Sequence, residues 1–561
     1  MRYSSTTSTR LRCLAVLLLL ATGDSCRSMD DSLSARRRIA DATVRILSGN
    51  DVCSGVFVSP AGHILTVAHG VHPEAGPVRI VRAMSKPEEA TVLIRDSSAD
   101  VALLKWEKAE GVVDPPYLLP ELQELPQPEQ MVIACGLPAR EPSLNIGILR
   151  TGTVVVASEQ SIRSTCMLTV GDSGGPLVNS QGRLIGLHHQ IGVGSQANLH
   201  LPIRKVLEVI RSEVPESEFS KQPQRASQIR LIPEQLKLSD DVLQKVMNRT
   251  VRISQDDSGR TAIHGFMVSR TMLVTKYSEL NPSKPIRVFG AGKSVSQNGV
   301  SATILRSDQA SDIAVLKLDA ELTIDDSAFA LPSRSLAAGE FAFAFSSTTQ
   351  RRVANGLEKS TPLATARNGG EPLRTIVGIQ GRSSFDEPTS KPRLGIVLDE
   401  KRSSDSMIIQ NVLPSSAASE AGLKVGDRLL SADGQMLESP ESLGIVLRSL
   451  QPGDWLTLQI QSAQTATTDQ PITSVLRLRG DPSNQFEKTE FLDGRAGAVS
   501  ERRTGFAQVL QIDCAVEPQD CGTAVVSADG ELVGIVIARR AREATLVLPM
   551  QRVMEFADRS K

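Results

Sequence analysis

Aromatic side chains are scarce in this chain of 561 residues, 3% in all, with Trp 2 and Tyr 3. That shortage argues against the stacking platforms on which single-stranded nucleic acids are held. Charge of one sign is missing too. Lys+Arg 62 against Asp+Glu 63 leaves a net charge of −1, so no whole-chain basic footprint for nucleic acid exists. Cysteine, at 7, is too thin for a disulfide scaffold, and a chain of this length relies on a large apolar core instead. No apolar run reaches the ~20 residues of a transmembrane helix. Metal ligation finds no cluster either. His188 and His189 are neighbours and so face opposite sides of a strand, while His63 and His72 have no ligand partner in the sequence. No cofactor and no metal are expected. Turn formers are abundant, with Gly 41 and Pro 30, which points to a β-rich protein of three or four domains.

Arg10 and Arg12 precede a short apolar run from Cys13 to Ala21, and Thr22, Gly23 and Ser25 follow. A basic start, a brief apolar stretch and a small-residue exit read as an export signal over 1–25. The mature chain then carries no transmembrane anchor and is exported, to a periplasm or cell envelope. Cys26 is a candidate lipidation site, but Gly23-Asp24-Ser25 departs from the usual approach to one.

From residue 38 short alternating runs separated by turn residues predict strands of a barrel or sandwich. A helical stretch at Val206–Arg211 closes this block, and a polar linker over 212–240 follows. A second block then replays the first. Thr250-Val-Arg-Ile253 echoes Thr43-Val-Arg-Ile46, and Ser311-Asp-Ile-Ala-Val-Leu-Lys317 echoes Ala99-Asp-Val-Ala-Leu-Leu-Lys105. Far downstream, Val525 to Gly534 echoes Leu177 to Gly186. The second copy thus runs over 241–391 and 481–561, interrupted by a different module at 392–480.

Three motifs in the first block carry chemistry: Thr66-Val-Ala-His69, Ala99-Asp100-Val-Ala-Leu-Leu104 and Gly171-Asp172-Ser173-Gly174-Gly175-Pro176-Leu177. A serine hydroxyl needs an adjacent base to act as a nucleophile, and that base needs a group to fix its tautomer. His69, Asp100 and Ser173 supply that set in one order. Over 38–211 the chain resembles a chymotrypsin-fold, trypsin-like serine protease of the HtrA/Deg type. The resemblance implies a double β-barrel and a catalytic triad of His69, Asp100 and Ser173. It also implies an oxyanion hole from the backbone of Gly171 and Ser173, and a primary pocket lined by Met167, Leu187 and His189. Asp172 departs from the Asn usual in HtrA relatives. Trypsin-like zymogens have Asp there, paired with a new N-terminal ammonium after cleavage, and Arg36-Arg-Arg38-Ile39 offers a cleavage point. The alternative is an Asp satisfied by local backbone N–H groups.

In the second block, Leu273-Val-Thr-Lys-Tyr277 aligned with Leu65-Thr-Val-Ala-His69 puts Tyr277 at the histidine position. Asp312 keeps the aspartate, and Cys521 replaces the serine. A phenol with a pKa near 10 cannot replace imidazole as a base near neutral pH, so this copy reads as a pseudoprotease. Cys514 matches Cys166, and a Cys514–Cys521 disulfide after export is left to geometry.

Arg393-Leu394-Gly395-Ile396-Val397, Pro414 to Gly422, Gly426-Asp427 and Pro452-Gly453-Asp454-Trp455 resemble the PDZ domains of HtrA-type proteases. The resemblance implies capture of C-terminal peptides by strand addition, with the carboxylate near Leu394, Gly395 and Ile396. The expected protein is mainly β, with two chymotrypsin-like double β-barrel domains, the second degenerate, and an inserted PDZ domain. The expected substrates are unfolded or misfolded envelope proteins. A latent triad on a peptide-binding scaffold is the rival expectation, and a homo-oligomer stays open.

Overall fold

Short runs rich in Val, Ile, Leu and Thr between Gly and Asp turns become strands, and antiparallel pairing curls six of them at a time into barrels. The computed structural model describes residues 31–558 except 84, 109–111, 193–197, 215–229, 234–235, 257–261, 291–298, 325–328, 347–351, 354–355, 358–373, 399–406, 464–469, 481–497 and 515. The expected export signal at 1–25 and Cys26 lie outside the described residues, as does the greater part of the expected linker. The chain divides into two units, one ending at Leu236 and the other beginning at Lys237, with Ala338–Glu340 counted in the first.

In the first unit one closed barrel orders its strands as Thr43–Ser48, Asp51–Phe57, His63–Thr66, Val101–Trp106, Glu88–Asp96 and Arg79–Val81. The second barrel orders Pro176–Val178, Leu184–Gln190, Asn198–Pro202, Ile162–Ser164, Ile148–Ala157 and Met131–Gly136. The strand Glu88–Asp96 alternates half-buried and exposed residues, the signature of one solvated face. The closing helix spans Ile203–Ile210. Within the expected linker, Leu231 and Ile232 are buried, and the Leu231 N–H donates to Ser180 O at 2.7 Å. That part of the segment is packed against the first unit because its apolar side chains have a surface to cover.

The second barrel holds a buried imidazole pair. His188 Nε2 lies 3.1 Å from Cys135 O, so it is the donor there and His188 Nδ1 is an acceptor. His200 Nδ1, 3.0 Å away, must then donate, leaving His200 Nε2 to accept from the Ser164 hydroxyl at 2.7 Å. Burial pushes both imidazoles below their ordinary range, His200 to about 3. The unfolded chain therefore takes up these protons first as pH falls below ~6.5, and stability drops with pH. Each imidazole is expected to cost about 1.4 kcal/mol per pH unit below that point. The urea transition of Trp106 fluorescence in a Trp455→Phe chain checks this between pH 7.5 and 5.5, and a midpoint that does not fall would refute it.

The second unit repeats the design. Its first barrel orders Thr250–Ser254, Ala262–Ser269, Met272–Lys276, Ile313–Leu318, Val300–Asp308 and Ile286–Phe289. Its second orders Phe341–Ser346, Arg374–Phe385, Val509–Ile512, Ala544–Pro549, Leu532–Ala541 and Ala524–Ser527. The inserted module sits between the second and third of these strands in chain order, where the first unit has the tight turn Ser158–Ser161. It has a four-stranded sheet of Gln435–Met436, Arg428–Ala432, Trp455–Gln461 and Ile472–Arg477, and a two-stranded sheet of Ile396–Leu398 with Ile409–Val412. The helix Pro440–Arg448 starts at a capping box on Ser439 and buries Leu443 and Val446 in the module's own core.

Candidate active site

Strand register brings the first two site residues together. Thr66 pairs with Ala102, so the residues just beyond one strand and just before the other meet at the same end of the barrel. His69 stands on the single turn Ala68–Gly70. Asp100 stands in a left-handed conformation at φ 54°, an uncommon state for a residue with a side chain and one that clusters at functional sites. The Asp100 carboxylate accepts from His69 Nδ1 at 2.7 Å and from the His69 N–H at 2.8 Å. The imidazole is therefore fixed in the tautomer that leaves Nε2 free to take a proton. The Asp100 bond pushes His69 above its ordinary range, against burial. Burial would raise the Asp100 carboxyl, but hydrogen bonds from His189 and His69 outweigh it and hold the group well below the usual carboxylate range.

Ser173 comes from the second barrel, in the loop before Pro176–Val178. Two bonds tie this loop to the first barrel: Ser54 N–H donates to Ser173 O at 2.8 Å, and the Ser54 hydroxyl donates to Gly171 O at 2.7 Å. Gly171 has φ +98°, and a Cβ there would lie 2.4 Å from Ala139 N, so only glycine fits. Among the described residues, neither the Gly171 nor the Ser173 N–H is engaged in a hydrogen bond. Both are thus available to a developing oxyanion. The Ser173 hydroxyl makes no hydrogen bond to His69 among the described residues, and in unliganded sites such bonds often tighten only with substrate.

Asp172 points away from the site into the second barrel. Its carboxylate accepts from Arg150 at 2.5 Å and from the Thr169 N–H at 2.7 Å, with both charged side chains buried. This corrects the zymogen expectation. The Asp172 carboxylate is already paired with an internal guanidinium, and Ile39 is buried within helical residues 31–42. The expectation of backbone N–H partners alone is also incomplete, because Arg150 lies 22 residues away in sequence and no local motif announces it.

Of the expected pocket residues, Met167 and Leu187 are buried at 3% and 0% exposure. The third, His189, is aimed at the triad. Its Nε2 lies 3.0 Å from Asp100 Oδ2. The reason is a β-bulge: the ladder pairs His188 with His200 and then Gln190 with Leu199, so His189 has no cross-strand partner. Bulges beside active sites re-aim side chains in this way.

The second unit repeats the frame bond for bond and corrects one residue. Thr66 Oγ1 donates to Ser54 O at 2.7 Å, and Thr275 Oγ1 to His264 O at 2.6 Å. Ser54 N–H meets Ser173 O, and His264 N–H meets Cys521 O. Asp312 has φ 55°, matching Asp100. Thr275 pairs with Ala314 as Thr66 pairs with Ala102. Counting three residues on from each threonine, Ser278 holds the His69 position and Tyr277 the position of Ala68. Ser278 N–H and Oγ donate to Asp312 at 2.6 and 2.9 Å, copying both His69 bonds. Tyr277 instead packs against the barrel core. The assignment of Tyr277 to the base position was one residue out because Leu65-Thr-Val and Leu273-Val-Thr align in either register, and only the ladder decides.

Chain returning from the inserted module crosses this second site. Ser500 N–H donates to Arg539 O at 2.9 Å, and the Ser500 hydroxyl lies 3.6 Å from Cys521 Sγ. Lys276 Nζ donates to Arg502 O at 2.7 Å, and Arg502 pairs with Asp454 of the module at 2.7 Å. Trp455 Nε1 and Arg477 both donate to Ser278 O at 2.9 Å. Cys521 is fully buried, which pushes its thiol up to about 11 although Lys276 pulls the other way. Cys514 and Cys521 are free buried thiols, so the disulfide left to geometry is not formed. In the inserted module, Leu394 is buried in the core, Gly395 has φ +84°, and Ile396 opens the strand paired to Ile409–Val412. The other edge of that strand has no pairing strand among the described residues.

The fold and the site define a trypsin-like peptidase domain joined to a PDZ-bearing second unit. Residues 53–187 match the trypsin-like peptidase domain family, and residues 383–461 match the PDZ domain family. Together they make an architecture of the HtrA type. Serine protease HTRA1 of Xenopus laevis is 34% identical over 143 residues, covering 24% of this chain and 30% of that protein. A probable periplasmic serine endoprotease, DegP-like, of Chlamydia pneumoniae is 29% identical over 147 residues, covering 25% and 29%. Serine protease HTRA3 of Homo sapiens is 29% identical over 148 residues, covering 24% and 32%. The aligned part thus spans about a third of the length of these relatives.

Proposed function

We propose that the chain is an exported serine endopeptidase that cleaves unfolded or misfolded proteins of the cell envelope through an acyl-enzyme on Ser173. The observation that carries this reading is the His69–Asp100 bond of 2.7 Å beside a serine loop with two unspent N–H groups. His69 takes the Ser173 proton during attack on the scissile carbonyl and returns it to the leaving amine. Asp100 stabilises the imidazolium formed between those steps. The Gly171 and Ser173 N–H groups receive the oxyanion. Water then enters and hydrolyses the ester by the same path in reverse.

The second double barrel is a pseudoprotease that holds the PDZ domain. Its base position is a serine, its cysteine is buried, and its own chain lies across the site. The free edge of Ile396–Leu398 supports capture of a C-terminal peptide as an added strand. A gated variant of the reading has peptide capture by the PDZ domain switch the triad on.

A fluorophosphonate probe tests both. The expected result is one covalent adduct, on the tryptic peptide containing Ser173, with none on Cys521. Labelling that appears only after a C-terminal peptide is added selects the gated variant. Absence of labelling under both conditions removes the endopeptidase reading.

A further inference from the structure

We infer that Ser54 is the positioning residue of the oxyanion hole, its hydroxyl holding the serine loop in the form that leaves the Gly171 and Ser173 N–H groups free. This rests on the reading of Ser173, His69 and Asp100 as an endopeptidase site. Ser54 is fully buried on the strand Asp51–Phe57. Its backbone N–H on Ser173 O belongs to the frame that both copies share, since His264 N–H meets Cys521 O in the second. The side chain adds a separate tie. Ser54 Oγ donates to Gly171 O at 2.7 Å and accepts from the Leu137 N–H at 3.0 Å. One hydroxyl thereby joins the serine loop to the chain that leaves the strand Met131–Gly136. Just beyond, the Ala139 N–H donates to Val170 O at 2.8 Å. Val170 C=O and Gly171 N–H share one peptide plane, so that bond fixes the direction of the Gly171 donor.

The second copy shows the other form of the same loop. Counting back from Cys521 as from Ser173, Gln519 holds the Gly171 position and Pro518 that of Val170. There the loop closes into the single turn Pro518–Asp520, and the Cys521 N–H is spent on Pro518 O at 3.2 Å. In the first unit Val170 O meets Ala139 instead, and the Ser173 N–H stays free among the described residues. The side chain at the Ser54 position differs between the copies in what it can do. His264 Nδ1 donates to Gln519 O at 2.8 Å. A ring N–H only donates, whereas a hydroxyl donates and accepts at one oxygen. Serine can therefore hold Gly171 O and the Leu137 N–H together, and histidine through Nδ1 cannot. The open loop accompanies the copy with the two-way side chain. A catalytic constellation needs such supporting bonds to stay within a fraction of an ångström of its working geometry.

The test separates rate from binding. Ser54→Ala removes both side-chain bonds. It is expected to lower kcat on a peptide substrate about 10²-fold with KM little changed, the size of losing one oxyanion donor. Ser54→Thr keeps the hydroxyl and is expected to restore most of that rate. A second measurement needs no turnover. In the full chain with isotope-labelled serines, the Ser173 amide resonance is identified by its loss in Ser173→Ala. That amide is expected to exchange quickly with deuterium in the wild type. In Ser54→Ala the exchange is expected to slow, as the Ser173 N–H turns onto Val170 O in the manner of the second copy. Wild-type kcat in a folded Ser54→Ala chain overturns the proposal, and so does unchanged exchange of that amide. A folded Ser54→Thr chain as slow as Ser54→Ala overturns it too. If the wild type shows no turnover, the endopeptidase reading falls, and the amide exchange alone upholds or overturns the role of Ser54.

Discussion

Ser173→Ala is expected to lower kcat on unfolded casein by about 10⁶-fold, whereas Cys521→Ala leaves it unchanged. The magnitude follows from the way a triad works: nucleophile and base act as a unit, and removing either removes covalent catalysis as a whole. What survives is the contribution of binding and of the oxyanion donors, ~10³–10⁴ over water. The contrast with Cys521 follows from burial. That thiol is fully buried with its ionisation pushed up to about 11, and Ser278 holds the position on Asp312 that the base His69 holds on Asp100. Casein turnover by the purified variants checks the pair, with circular dichroism confirming that each is folded. Residual turnover in Ser173→Ala above a thousandth of wild type would place the chemistry elsewhere.

Arg150→Met is expected to destabilise the first unit by about 3–5 kcal/mol, because it leaves a buried carboxylate without its cation. Arg150 and Asp172 have 0% and 1% side-chain exposure, so water cannot replace the lost partner. Activity should suffer as well. Asp172 lies between Gly171 and Ser173, and its bond to the Thr169 N–H folds the loop that presents both oxyanion donors. Loss of one such donor costs ~10²–10³ in kcat, and a loop that swings away loses both. Burial, partly offset by Arg150, already raises the Asp172 carboxyl above its ordinary range. A carboxyl whose folded-state pKa is raised binds its proton more tightly folded than unfolded. The deficit of Arg150→Met should therefore shrink as pH falls. Adding Asp172→Asn removes the uncompensated charge and should recover most of the stability. Urea unfolding and the rate of fluorophosphonate labelling measure the two effects separately. Equal stability of Arg150→Met and wild type at pH 8 would show that the pair is not what holds the loop.

Much of the site could be read along the chain because its chemistry is local. Glycines at 171, 174 and 175 around Ser173 mark a loop with special backbone needs, and His69 and Asp100 follow strand patterns that repeat in the second block. The inserted module was equally legible, because its turns and capped helix lie within one continuous stretch. Less was visible where a side chain finds its partner across a barrel. Arg150 is one of 62 basic residues, and only the pairing of Ala134 with Arg150 in the second barrel aims it at Asp172.

The sequence by itself determined that the chain has two copies of one β-rich design, that the first keeps a serine, a histidine and an aspartate in order, and that the second does not. Residue identity and spacing carry that much, since they set which groups can ionise or attack. Tertiary structure alone decided which residue stands where the base was lost, which direction His189 faces, and what lies across Cys521. Each depends on strand register, where a shift of one residue turns every side chain to the opposite face. The ladder from Thr275 to Ala314 chose Ser278 over Tyr277, the bulge after His188 sent His189 to Asp100, and barrel closure laid Ser500 against Arg539.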